Sequence, residues 1–110
     1  MASEYRRLLD PSTAKATVFQ ELREAWDAGA YRVLEVHVRV LKAGTGGNII
    51  LQHAAVNEED AYLDLANAST ALNGQGAYLT ISNFLRFIRW RTDGAVAGSP
   101  VVMIEIIAKQ

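Results

Sequence analysis

Hydrophobic and polar positions alternate most cleanly between Tyr31 and Leu41, where Leu34, Val36, Val38 and Val40 are interleaved with Glu35, His37 and Arg39. A period of two predicts a β-strand with one buried and one wet face. The glycine-rich stretch Lys42–Asn48 follows, and it must hold a positive φ somewhere. Ile49–Ala54 then resumes as a strand, so the two segments are expected to pair as a hairpin. Asn57-Glu58-Glu59-Asp60 reads as a polar turn before a short strand at Tyr62–Leu65. Ala66–Gln75 reads as a loop, with a helical turn as the alternative. Ala77–Ser82 alternates again. In Phe84–Thr92, Phe84, Arg86, Ile88 and Trp90 are expected on one face, with Leu85, Phe87, Arg89 and Arg91 on the other. Gly94, Gly98 and Pro100 mark a flexible connection before a closing strand, Val101–Ala108, whose Val102, Ile104 and Ile106 share a face. Short strands separated by turn signals predict an all-β, antiparallel β-sandwich.

The segment before Tyr31 is ambiguous. Val18, Leu22 and Trp26 are spaced by four, and Ser12 is placed to cap a helix starting near Thr13. The same residues also read as an extended strand. Residues 1–15, with Arg6, Arg7, Leu8 and Leu9 ahead of Pro11, read as a short N-terminal arm outside the sheet. The sandwich domain is expected over 16–110.

Two strands are apolar on both faces: Ile49-Ile50-Leu51, and Val101 to Ile107 with Met103 among its members. A strand with one wet face should alternate. Such strands are either covered on both sides or meet another subunit, and a chain of 110 residues has little material for a third layer. Subunit contact is therefore expected at Ile49, Leu51, Val101, Met103 and Ile107, with Arg6, Leu8 and Leu9 of the arm reaching a neighbour.

Length allows one domain. Lys plus Arg is 11 and Asp plus Glu is 12, a net charge of −1, which argues against general electrostatic binding to nucleic acid or to an anionic membrane. No apolar run approaches the length of a membrane helix, and the N-terminus lacks the apolar core of a signal peptide. Cytoplasmic synthesis is the expectation. There is no cysteine, which excludes disulfides, thiolate metal sites and a cysteine nucleophile.

The remaining constellations are thin. His37 and His53 would be neighbours if their strands paired, and with Glu35 they would offer zinc a partial ligand set; solvated or hydrogen-bonded histidines are the simpler reading. Glu58, Glu59, Asp60 and Asp64 are the only acidic cluster, but no EF-hand series is present. Arg86, Arg89 and Arg91 among Phe84, Phe87 and Trp90 suggest stacking chemistry, yet strand alternation divides them between faces. Core aromatics with arginines at the sheet rim is the preferred reading. Gly44-Thr45-Gly46-Gly47 lacks the helix and Lys-Ser of a phosphate loop. No nucleophile, acid–base pair or metal pattern rises above background, so neither an enzyme nor a cofactor is expected.

Taken in order, Tyr31–Val36, Gly46–Gln52, Asn57–Tyr62 and Phe84–Trp90 resemble the small jelly-roll sandwiches of bacteriophage and prophage-derived particle proteins, which are similar in topology to discoidin-like carbohydrate-binding domains. The resemblance covers about residues 16 to 109. It favours a strand over a helix at 16–26 and implies a jelly-roll-like sandwich with a structural or adhesive role and no catalytic residues. The resulting expectation is a non-catalytic subunit of a phage or phage-like particle (capsid, decoration or tail component), partnered by itself and by other particle proteins. The alternative is a carbohydrate-binding module using the loops near 44–48, 57–61 and 93–99.

Overall fold

The computed structural model of the chain describes residues 3–110. Eight strands follow in order: β1 Ser3–Thr13, β2 Trp26–Asp27, β3 Val33–Lys42, β4 Asn48–Ala54, β5 Leu63–Ala71, β6 Gly76–Ile81, β7 Phe87–Thr92 and β8 Val101–Lys109. They form two antiparallel four-stranded sheets, ordered β1-β8-β3-β6 and β2-β7-β4-β5. This is the all-β sandwich that the period-two patterning predicts. Every sequential connection except β4–β5 passes from one sheet to the other, so the chain wraps around its own core.

Leu34, Val36 and Val38 of β3 lie on the inner face of the first sheet with Val102, Ile104 and Ile106 of β8, Val36 opposite Ile106 and Val38 opposite Ile104. They pack against Ile49 and Leu51 of β4 and Ile88 of β7 from the second. All nine side chains are buried. The polar alternates Glu35, His37 and Arg39 lie on the opposite side of the first sheet, as alternation requires.

Several sequence expectations are corrected. β3 and β4 do not form a hairpin; they lie in different sheets, and the glycine-rich stretch between them crosses one end of the sandwich. Its backbone is tied to other loops instead, Gly44 N–H to Leu72 O at 2.9 Å and Thr45 N–H to Ala97 O at 2.9 Å. The expected positive φ is there, at Gly47, where an added Cβ would lie 2.4 Å from the Val96 backbone. The loop expected at Ala66–Gln75 is strand as far as Ala71. Ala68, Thr70 and Leu72 alternate inward there, a period disguised by small and polar residue types.

The N-terminal arm is a strand of the sandwich, and the boundary at residue 15 falls away. β1 pairs with β8 from Ser3↔Lys109 to Thr13↔Val101, and Leu8 sits in the core. Residues 1 and 2 of that expected arm lie outside the described residues. Pro11, which has no N–H to donate, falls within a register shift on this edge strand.

The stretch between β1 and β2 is extended rather than helical. Ser12 Oγ donates to Asp10 O instead of capping a helix. Gln20 N–H donates to Trp90 O, and Thr92 N–H to Val18 O. These residues thus continue the second sheet past the end of β2, with a single 3-10 turn at Leu22–Glu24.

Val38, only 1% exposed, has no room for a charge. Val38→Asp is expected to lose several kcal/mol, roughly the cost of burying an unpaired carboxylate even after its pKa rises. Circular dichroism and urea titration check this; a cooperative transition at the wild-type midpoint contradicts the strand facing.

Candidate interaction surface

The two outer faces of the sandwich differ. That of the second sheet is covered by the chain itself, with Arg89 of β7 as the pin. Arg89 is 2% exposed, and its guanidinium lies over the rings of Tyr62 at 4.2 Å and Phe19 at 5.2 Å. Nε donates to Gln52 Oε1 at 2.8 Å, and Nη1 donates to Glu59 Oε2 at 2.6 Å and Gln20 O at 3.4 Å. Gln52 Nε2 passes the network on to Asp64 Oδ1 at 2.9 Å. Arg91 grips the same carboxylate with Nε and Nη2 at 2.8 and 2.7 Å. That fork holds the Asp64 carboxyl down at about 2, against the opposing push of burial. Of the arginines expected at the sheet rim, Arg89 is a buried clamp and Arg91 a half-buried one, on the shared face that alternation assigns them, while Arg86 precedes β7 and stays exposed.

The outer face of the first sheet has no such cover. Register sets its side chains in two rows. Tyr5, Ile107, Glu35 and Thr80 form one; Arg7, Glu105, His37 and Tyr78 form the next. Tyr78 is 62% exposed, Tyr5 55% and Ile107 41%. Each glutamate is gripped twice. Glu105 accepts from Tyr5 Oη at 2.6 Å and from Arg39 at 3.1 Å. Glu35 accepts from Tyr78 Oη at 3.0 Å and from Lys109 Nζ at 3.0 Å. A half-turn about an axis between β3 and β8 exchanges these two clusters. The donors hold both carboxyls below their ordinary range, Glu105 chiefly through Tyr5 and Glu35 chiefly through Lys109. What remains outward is a flat surface of aromatic and aliphatic carbon with its charges already paired. Tyrosine-rich surfaces of this kind are favoured in protein contacts.

Of the residues expected at a subunit contact, the structure leaves Ile107 exposed on this face. Ile49, Leu51 and Leu8 lie in the core, and Met103, 3% exposed, is buried within its own chain. Val101 is half-buried. Leu9 packs against the core, while Arg6 lies 5.6 Å over the Trp26 ring. The two-sided apolar character of β4 thus comes from coverage by the same chain, whereas on the outward side of β8 Met103 is buried and Ile107 stays open to water. Sequence reading missed Tyr5 and Tyr78. The signal for Tyr78 was its place on the polar face of the alternating segment Ala77–Ser82; Tyr5 carried none, because its segment was not read as a strand.

His37 and His53 are in different sheets, and the glutamates beside His37 are engaged, so the histidine pair does not form. His53 Nδ1 accepts from Leu85 N–H at 3.1 Å. Among the described residues no three of His, Asp and Glu gather to hold a metal ion. An open cleft of about 770 Å³ at one end is lined by Asp27, Tyr31, Phe84 and Arg86 among others. Its Asp27 and Arg86 pair with each other at 3.0 and 2.8 Å. No helix among the described residues is long and apolar enough to cross a membrane.

No protein-family model and no curated protein matches the chain. Among solved structures it is similar to the crystal structure of SPBc2 prophage-derived protein YomS, with a TM-score of 0.63 and 17% identity over 97% of this chain and 92% of that one. At that identity the likeness is one of fold.

The Asp64 clamp makes stability pH-dependent. Because its pKa is lowered on folding from an ordinary 3.8 to about 2, its contribution is complete above about pH 5 and is lost as pH falls through 2. With the carboxylate partly open to solvent, the clamp contributes about 1 kcal/mol after screening. Asp64→Asn is expected to cost that amount at pH 7 and nothing near pH 1.5; urea midpoints that differ equally at both pH values rule the clamp out.

Proposed function

We propose that this chain is a non-catalytic structural protein, a self-associating β-sandwich subunit of a phage or phage-like particle. The observation that carries the reading is the uncovered tyrosine and isoleucine face of the first sheet. A chain that folds part of itself over one outer face and leaves Tyr5, Ile107 and Tyr78 in water on the other has a surface for a protein partner. The strand orders β1-β8-β3-β6 and β2-β7-β4-β5 support a jelly roll, an architecture common in capsids. The fold likeness to a prophage-derived protein supports the phage setting. In this reading the partners are further copies and other particle proteins, and the protein's place is the particle rather than a membrane.

Carbohydrate binding through the end loops has less support. The loops at 44–48, 57–61 and 93–99 contain no aromatic residue to stack on a sugar ring. Titration with oligosaccharides is expected to give no saturable response.

Light scattering over a hundredfold concentration range tests the reading. The wild-type chain is expected to form a defined oligomer. Ile107→Glu, at an exposed position, is expected to keep the wild-type melting temperature and weaken association about tenfold or more, as unpaired charges at an interface do. A strict monomer at every concentration defeats the proposal.

A further inference from the structure

Between Asp64 and Arg86 the chain has no charged residue, whereas 21% of the whole chain is charged. This neutral stretch builds β5, β6 and their connection. β5 and β6 end their respective sheets and line a groove of about 430 Å³ on one flank of the sandwich.

A sheet edge is a row of unpaired N–H and C=O groups, and proteins blunt such edges with bulges, proline, charge or brevity. Three of the four edge strands here are blunted. β1 has register shifts at Arg7/Leu9 and Leu9/Ser12 and carries Pro11. β2 has 2 residues. β5 is interrupted where it passes Ile50/Gln52 of β4, with Asn67 left-handed at φ 58°. β6 has none of these devices. It pairs with β3 without a shift from Leu34↔Ile81 to Arg39↔Gly76, contains neither charge nor proline, and is rich in strand-forming types.

We propose that β6 is a pairing edge whose occupant is the β6 of a second copy of this chain. The two strands run antiparallel about a twofold axis at Leu79, joining two four-stranded sheets into one. The proposal rests on the self-association reading and adds to the open face a second contact, at the edge.

A twofold contact needs a self-complementary patch, and a neutral edge facing an identical neutral edge strands no charge. With Leu79 on the axis, Tyr78 of each copy stands opposite Thr80 of the other on the outer side, and Ala77 opposite Ile81 on the inner side. Aromatic with β-branched and small with large are favourable cross-strand pairs. The 6 residues of β6 span about 20 Å, and two sheets with their side chains make a flank about 20 Å deep. That gives about 400 Å² per copy and about 800 Å² in all, the size of a weak contact, to which the strand-to-strand hydrogen bonds of the paired edges add. Pairing also makes the exposed faces of the two copies continuous through Tyr78.

The chain lacks cysteine, so an introduced one is the only thiol. Paired residues on an antiparallel twofold have Cα atoms about 5 Å apart, within disulfide reach. Oxidised Leu79→Cys is expected to become mostly covalent dimer at micromolar concentration, while Asp10→Cys on blunted β1 stays monomeric on a non-reducing gel. Thr80→Lys, at an exposed edge position, is expected to lower the light-scattering mass about twofold without changing the melting temperature. Either positive result supports the edge. A wild-type oligomer that survives Thr80→Lys and does not cross-link through Leu79→Cys overturns it and leaves self-association in place. A wild-type monomer at every concentration overturns both.

Discussion

The guanidinium of Arg89 is the constraint on which the rest of the arrangement depends. It sits on the outside of the second sheet with almost no access to water, where a lone cation would be prohibitively costly. Its position is tolerable because other parts of the chain come to it: Phe19 and the Gln20 carbonyl from the N-terminal segment, Tyr62 and Glu59 from the loop before β5, and Gln52 from the neighbouring strand. The same interactions fix two long irregular segments against the sheet. A chain of this size has no helix to spare as a third layer, so cation–π contact and charged hydrogen bonds hold loops in its place.

That use of chain leaves nothing to cover the first sheet. Its outer face compensates locally, each glutamate taking one tyrosine hydroxyl and one cation. Satisfied in this way, the polar groups cost little to bring against another surface, since no charge is left without a partner when water is expelled. Tyr5, Tyr78 and Ile107 then contribute the apolar area. The asymmetry between a self-sealed face and an open one is what supports the proposed protein contact on the first sheet.

Edge management points the same way. Bulges, a proline and a very short strand guard three edges, and an unguarded, charge-free strand forms the fourth. Three edges are protected against unplanned pairing, and the exception is the edge at which pairing is proposed.

The sequence by itself determined the class of fold. Alternation in Tyr31–Leu41 and Val101–Ala108 sets which side of β3 and β8 is buried, because side chains of a strand point to opposite faces in strict turn. Glycine spacing located the tight connection around Gly47, where only a residue without Cβ fits beside Val96. Strand partners were not legible. A loop of the length of 43–47 serves a hairpin or a crossing between sheets equally well, and only the competing claims of β6 and β8 on β3 decide between them. Nor could the sequence say whether Ile49, Leu51, Met103 and Leu8 face a neighbour or their own core. An apolar residue records that it avoids water, not what replaces the water, and that depends on which distant segments the folded chain brings to it.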